Sequence, residues 1–275
     1  MKKVISFDLY ADMGFLKKPD INEKIYLTYN MIHKPCVLGI LGAICGLEGF
    51  TKNNKLPEYY EKFKHIPVGI KPIGKGCENG NFSKTVTTYT NTIGFANTDG
   101  NLIVSEQTLI NPAYRIFLLL ETNKEYERIL YERIQNQQAE FIPYLGKNDY
   151  SAWWYAKDVE NENGDVLFQG VREYEILKME SKQDFKIDTA FIKQNALIDS
   201  IAVDESDDDF GEFEISAFGS YVYFEKLPYA YCDKLYQYKY TDFALTDSKL
   251  KAGSLPKESL YHLKFKTDQF IVQLN

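Results

Sequence analysis

The sequence predicts an α+β fold rather than a doubly wound parallel sheet. Three observations carry this. The first 150 residues read as strand, helix, hairpin, strand and helix in that order. The rest is mostly strand-like. The composition, 44% hydrophobic and 26% charged, supplies a real core and excludes wholesale disorder. The chain therefore divides at about residue 150 into a helix-bearing region, 1–150, and a β-rich region, 151–275.

The first strand is Val4 to Ala11, with Ile5, Phe7, Leu9 and Ala11 on one face and Ser6, Asp8 and Tyr10 on the other. A loop with Lys17, Lys18 and Lys24 follows. Pro35 opens a helix, where its missing N–H costs nothing. Gly39, Gly42 and Gly46 lie along one stripe of that helix. Each glycine costs about 1 kcal/mol of helix stability relative to alanine, so the stripe implies close approach. A sheet packed on the helix explains it, as does a ligand backbone. A second helix spans Leu56 to Lys64, with Tyr59, Tyr60 and Phe63 as its apolar side.

From Lys84 to Thr92 the chain is rich in β-branched residues and polar on both faces. Asn97–Asn101 contains Asp-Gly, and Leu102-Ile103-Val104 resumes an extended segment. The pattern is a long hairpin with little core to pack on, so it projects, as a partner-binding or simply solvated arm. Tyr114 to Leu120 is a central strand, and Asn123 to Gln138 an amphipathic helix. Phe213–Ile215, Tyr221–Phe224 and Tyr261–Phe265 are short strands. Tyr236, Tyr238 and Tyr240 alternate with polar residues, as on one aromatic face of a packed strand or a base-stacking platform. Asp204 to Glu214 is an acidic solvated loop.

The formal net charge of −7 argues against bulk attraction to nucleic acid, but its distribution is uneven. Residues 1–84 carry 13 basic and 8 acidic side chains, net +5, and residues 151–275 carry 14 against 23, net −9. A polyanion site belongs in the first third, with the tail facing elsewhere. Four cysteines without a C-x-x-C pair and three scattered histidines give no metal site. No cofactor motif is present. Gly74–Gly80 has the wrong spacing for a dinucleotide fingerprint and reads as a flexible loop. No signal-peptide core or membrane-length apolar run appears, which places the protein in the cytoplasm with no membrane partner. His33 and Lys34, flanked by Tyr29, are the only compact acid–base set. Such a trio suits metal-independent RNA cleavage, with a base for the 2′-hydroxyl, a cation for the phosphate and an acid for the leaving oxygen.

Several stretches together resemble one family. Val4 to Gly14, Thr28-Tyr29 and Pro35–Gly46, the last reading Pro-Cys-Val-Leu-Gly-Ile-Leu-Gly-Ala-Ile-Cys-Gly, are similar to the opening of the fifth CRISPR-associated protein family. These are RAMP-type subunits of Cascade surveillance complexes. Asn111–Arg115, Pro143-Tyr144-Leu145-Gly146-Lys147 and Glu225-Lys226-Leu227-Pro228 agree in order, and the style resembles type I-B members.

The resemblance implies a modified ferredoxin-like (RAMP- or RRM-like) palm, a projecting thumb hairpin at about 84–109 and a β-rich C-terminal part. It also implies a non-catalytic antiviral-defence role: gripping the crRNA 5′ handle, capping the backbone subunit, contacting the large subunit and meeting target DNA indirectly. The alternative is a metal-independent endoribonuclease that processes precursor crRNA, as in one subtype. No match to that subtype's active site is found, so no catalytic residue is assigned. The expected RNA-binding residues are Lys17, Lys18, Lys34, Lys84 and Lys147 for phosphates, Tyr29 and Tyr89 for stacking or hydroxyl contacts, and Gly39 and Gly42 for close approach. A third possibility is an interaction protein without RNA contact.

Overall fold

The computed structural model describes residues 2–19, 24–51, 55–91, 102–156, 159–160, 166–167, 170–179, 183–192 and 215–275. The chain is mostly β-sheet with three α-helices among the described residues, an α+β architecture. Strand β1 (Lys2–Ala11) turns through β2 (Met13–Gly14) and a loop into α1 (Lys34–Cys45). Then come α2 (Glu58–Phe63), β3 (Val68–Pro72) and the short pair β4 (Cys77–Glu78) and β5 (Asn81–Phe82). The hairpin β6 (Lys84–Asn91) and β7 (Leu102–Ile110) precedes β8 (Ala113–Glu121) and α3 (Glu125–Gln135). The second region holds β9 (Ala152–Trp154), β10 (Val159–Glu160), β11 (Val166–Leu167), β12 (Arg172–Leu177), β13 (Phe191–Ile192), β14 (Ile215–Ala217), β15 (Val222–Tyr231), β16 (Tyr238–Thr246), β17 (Lys249–Leu250), β18 (Leu260–Phe265) and β19 (Asp268–Gln273).

The main sheet runs β19-β18-β12-β1-β8-β3, with β9 sharing the β12 side of β1. Its ladders are antiparallel throughout. The 151–275 region thus supplies four of the seven strands, so both regions build one sheet. Beyond β19, Asn275 exchanges two backbone hydrogen bonds with Val68, at 2.9 and 3.0 Å, and links the two outer strands.

Alternation along β1 and β8 gives the sheet two buried faces. Ile5, Phe7, Leu9, Ile116 and Leu118 join the core under α1 and α3, while Val4, Phe117 and Leu119 meet Tyr174, Leu263 and Val272 on the other side. Asp8, on that second face, is buried between Arg115 (2.7 and 2.9 Å) and Arg172 (3.1 and 3.2 Å). Both guanidiniums meet its carboxylate two-pronged, the geometry a buried charge requires.

Helix α1 starts at His33, whose extended backbone and Nδ1 cap the first turn by accepting from Cys36 N–H. It stops at Gly46, whose left-handed φ of 71° returns N–H groups to its last carbonyls. Tyr59 of α2 lies against the glycine stripe. A Cβ on Gly42 would run into the Tyr59 side chain, whereas one on Gly39 would meet it at an ordinary 3.7 Å. The close approach is therefore helix on helix, not helix on sheet.

Gly74–Gly80 is more ordered than a flexible loop. Cys77 pairs with Phe82 and Glu78 with Asn81 across a tight turn in which Asn79 and Gly80 both have positive φ. Tyr236 leaves the expected aromatic strand: its φ is 54°, and only Tyr238 and Tyr240 belong to β16. Thr92, the Asn97–Asn101 turn and the acidic Asp204–Glu214 segment lie outside the described residues.

Candidate nucleic-acid interface

The site is built on the ribbon that leads into α1. Lys17 bridges to Thr28, Lys18 N–H donates to Leu27 O at 2.9 Å, and Tyr29 N–H donates to Leu16 O at 2.7 Å. This pairing sends Lys17 and Lys18 to opposite sides. At its end, Glu225 of β15 accepts the backbone N–H groups of Asn30 and Met31, both at 2.9 Å. Asn30 in turn donates to Gly80 O and accepts from Phe82 N–H and Lys84 Nζ. A C-terminal carboxylate and a loop amide thus fix the approach to the helix. Neither Asn30 nor Glu225 was among the residues expected from sequence. Glu225 carried a signal only as the first residue of the Glu-Lys-Leu-Pro element.

On one side of the ribbon a cleft of about 670 Å³ is lined by Lys17, His33, Gly39, Tyr59, Lys147 and Tyr238, among others. Phe50, Phe141, Ile142 and Tyr144 expose apolar surface around it. The hairpin reaches the cleft through Glu106 of β7. That buried carboxylate binds Lys147 Nζ at 2.7 Å and accepts the Tyr89 hydroxyl at 3.1 Å, while Lys147 lies 4.5 Å from the Tyr89 ring centre. Burial opposes the Lys147 charge, but the Glu106 hydrogen bond and charge outweigh it and raise its pKa. Lys17 rests 3.9 Å from the Tyr26 ring centre and has no carboxylate partner among the described residues. Away from this anchor the hairpin is exposed: Val86 is 52% and Ile103 64% accessible.

Lys17, Gly39 and Lys147 therefore line this cleft, and Tyr89 stands against Lys147. Lys18, Tyr29 and Lys84 gather on the other side of the ribbon around Glu225, with Lys18 Nζ 3.5 Å from its carboxylate and 5.2 Å from the Tyr29 ring. Burial lowers the Lys84 pKa. Two expected residues join neither group. Lys34 donates to Asn275 O at 2.8 Å, and burial lowers its pKa to about 8. Gly42 is covered by Tyr59.

The compact set His33, Lys34 and Tyr29 does not converge as a cleavage site. His33 is packed edge-on between Tyr29 and Tyr238, its Nδ1 is spent on the helix cap, and burial lowers its pKa to about 3. So low a pKa makes it a poor proton acceptor near neutral pH. Among the described residues no group of three His, Cys, Asp or Glu side chains is placed to hold a metal ion, and no helix is long and apolar enough to cross a membrane.

No family model and no curated protein matches the chain. Among solved structures, a CRISPR protein from Archaeoglobus fulgidus aligns over 100% of both chains at 11% identity and a TM-score of 0.46. A chain of a CRISPR RNA-guided surveillance complex aligns over 89% of this chain and 91% of its own, at 10% identity and 0.43. A chain of the type III-B Cmr-beta complex bound to cognate target RNA and AMPPnP aligns over 98% and 99%, at 9% identity and 0.47.

Proposed function

We propose that this protein is a non-catalytic crRNA-binding subunit of a type I CRISPR surveillance complex, with type I-B the best-fitting subtype. The observation that carries the reading is the cleft that the hairpin reaches through Glu106, lined by Lys17, Lys147 and Gly39 beside exposed aromatic side chains, with Tyr89 packed against Lys147. Single-stranded RNA needs this combination: cations for phosphates and ring faces for unstacked bases. The succession strand, helix, two strands, helix, strand, with the fourth strand beside the first, supports a ferredoxin-like palm formed by β1, α1, β3, β8, α3 and β12. The β6–β7 hairpin is its thumb. In this reading the palm and thumb grip the 5′ handle, the protein caps the backbone subunit and touches the large subunit, and it works in the cytoplasm.

Co-expression with a repeat array tests this. RNA recovered with the purified protein should share repeat-derived 5′ ends, and repeat RNA incubated with the protein in EDTA should stay intact. Protein recovered free of RNA contradicts the reading, and specific cleavage lost on His33→Ala replaces it with the endoribonuclease. Lys34 is a poor probe because its reversal strikes a part-buried hydrogen bond. Lys17 is exposed and tests binding without that cost.

A further inference from the structure

Beyond the ribbon, a second hollow of about 450 Å³ lies between the lysine-bearing loop and the C-terminal sheet, lined by Lys18, Tyr29, Tyr223, Phe224, Glu225, Lys226 and Tyr240. We propose that it holds a nucleotide of the same RNA strand that occupies the first cleft, so that the β15–β16 sheet shares in RNA binding. This rests on the RNA-binding reading above.

Three observations converge. The first is charge. Lys18 and Lys226 line the hollow, and Lys84 stands next to it on Asn30, against the single carboxylate of Glu225. Both oxygens of Glu225 already accept backbone N–H groups, so its pairing with Lys18 at 3.5 Å is long and leaves the ammonium able to meet a phosphate. Asp242 is the acid opposite Lys226 across the ladder.

The second observation is aromatic surface. Phe224 is 43% accessible and lines the hollow together with Tyr223 and Tyr240, aromatic residues of the kind on which bases stack. The third is continuity. Tyr238 lines the first cleft and Tyr240 the second hollow, with ring centres 6.3 Å apart on β16, while Lys17 and Lys18 mark the same two sides on the ribbon. Lys17 and Lys18 on the ribbon, and Tyr238 and Tyr240 two positions apart on β16, thus lead from one hollow to the other, as a strand crossing the ribbon requires.

The test is binding of a fluorescent single-stranded RNA of about ten nucleotides, long enough to reach both hollows, by the full chain across a salt series. Phe224 and Lys226 are exposed, and thermal melting of each variant checks that the fold is kept. Phe224→Ala should weaken binding about tenfold, the usual scale for losing one stacked base. Lys226→Gln should lower the salt slope by about 0.7, the share of one phosphate contact on a single strand. Wild-type binding that is indifferent to both substitutions but lost on Lys17→Glu overturns the second hollow alone. Failure of the wild type to bind overturns the RNA-binding reading with it.

Discussion

His33 carries the most legible chemistry in the sequence and turns out to be structural. Its imidazole is buried neutral, with a folded pKa of about 3 against 6.5 when free. The unfolded chain therefore binds the extra proton first, and stability falls as pH drops through the window from 6.5 towards 3. At pH 5 the deficit relative to pH 7 is about 2 kcal/mol from this residue. His33→Asn, whose amide oxygen takes over the capping role of Nδ1, should abolish that share of the acid sensitivity; denaturant midpoints at pH 7 and 5 measure it. An unchanged pH dependence would mean the ring is not buried neutral. Glu225 makes the opposite case, inconspicuous among 39 acids yet central to the loop. Glu225→Ala leaves two buried N–H groups without their acceptor, at about 1–3 kcal/mol each, and urea denaturation should show that loss. A chain with this many carboxylates gives no hint which one will face two backbone amides, because that depends on β15 meeting the ribbon nearly two hundred residues earlier.

At the scale of elements, α1 was readable because its signals are local: a proline in the first turn, a glycine at the end and an apolar run between. The reason for its glycines was not, since it lies on α2. The two internal glycines now separate. Gly42→Ala should destabilise by about 1–3 kcal/mol through overpacking on Tyr59. Gly39→Ala has room and should be neutral or gain up to about 1 kcal/mol of helix propensity. Thermal melting distinguishes them, and equal losses at both sites would refute the packing account. The β4–β5 hairpin was legible in principle, since Asn79-Gly80 is a strong turn dipeptide, but the surrounding glycines resemble a mis-spaced dinucleotide fingerprint or a flexible loop. The hairpin from Lys84 was visible through its β-branched run. Its anchor at Glu106 and Lys147 was hidden, because the two residues are 41 positions apart.

For the whole molecule, the α+β class followed from element order, while closure of the sheet did not. Four strands of the main sheet come from the acidic region, and Val68 meets Asn275, a pairing that no local pattern announces. The charge split needs the same revision. The net +5 of residues 1–84 does not form an isolated basic face, because β15 and β16 bring Glu225, Lys226, Tyr238 and Tyr240 against it. Local charge at the two hollows therefore counts for more than regional totals. The proposed occupant of the cleft beneath the hairpin is single-stranded RNA. The most direct measurement is the affinity of the wild type and of Lys17→Glu and Tyr89→Ala for repeat-derived RNA as salt is varied. The account predicts salt-sensitive binding for the wild type, at least a tenfold loss (about 1.4 kcal/mol) for Tyr89→Ala, and for Lys17→Glu a loss together with a salt slope shallower by about 0.7. Wild-type affinity and slope retained in both variants would contradict it.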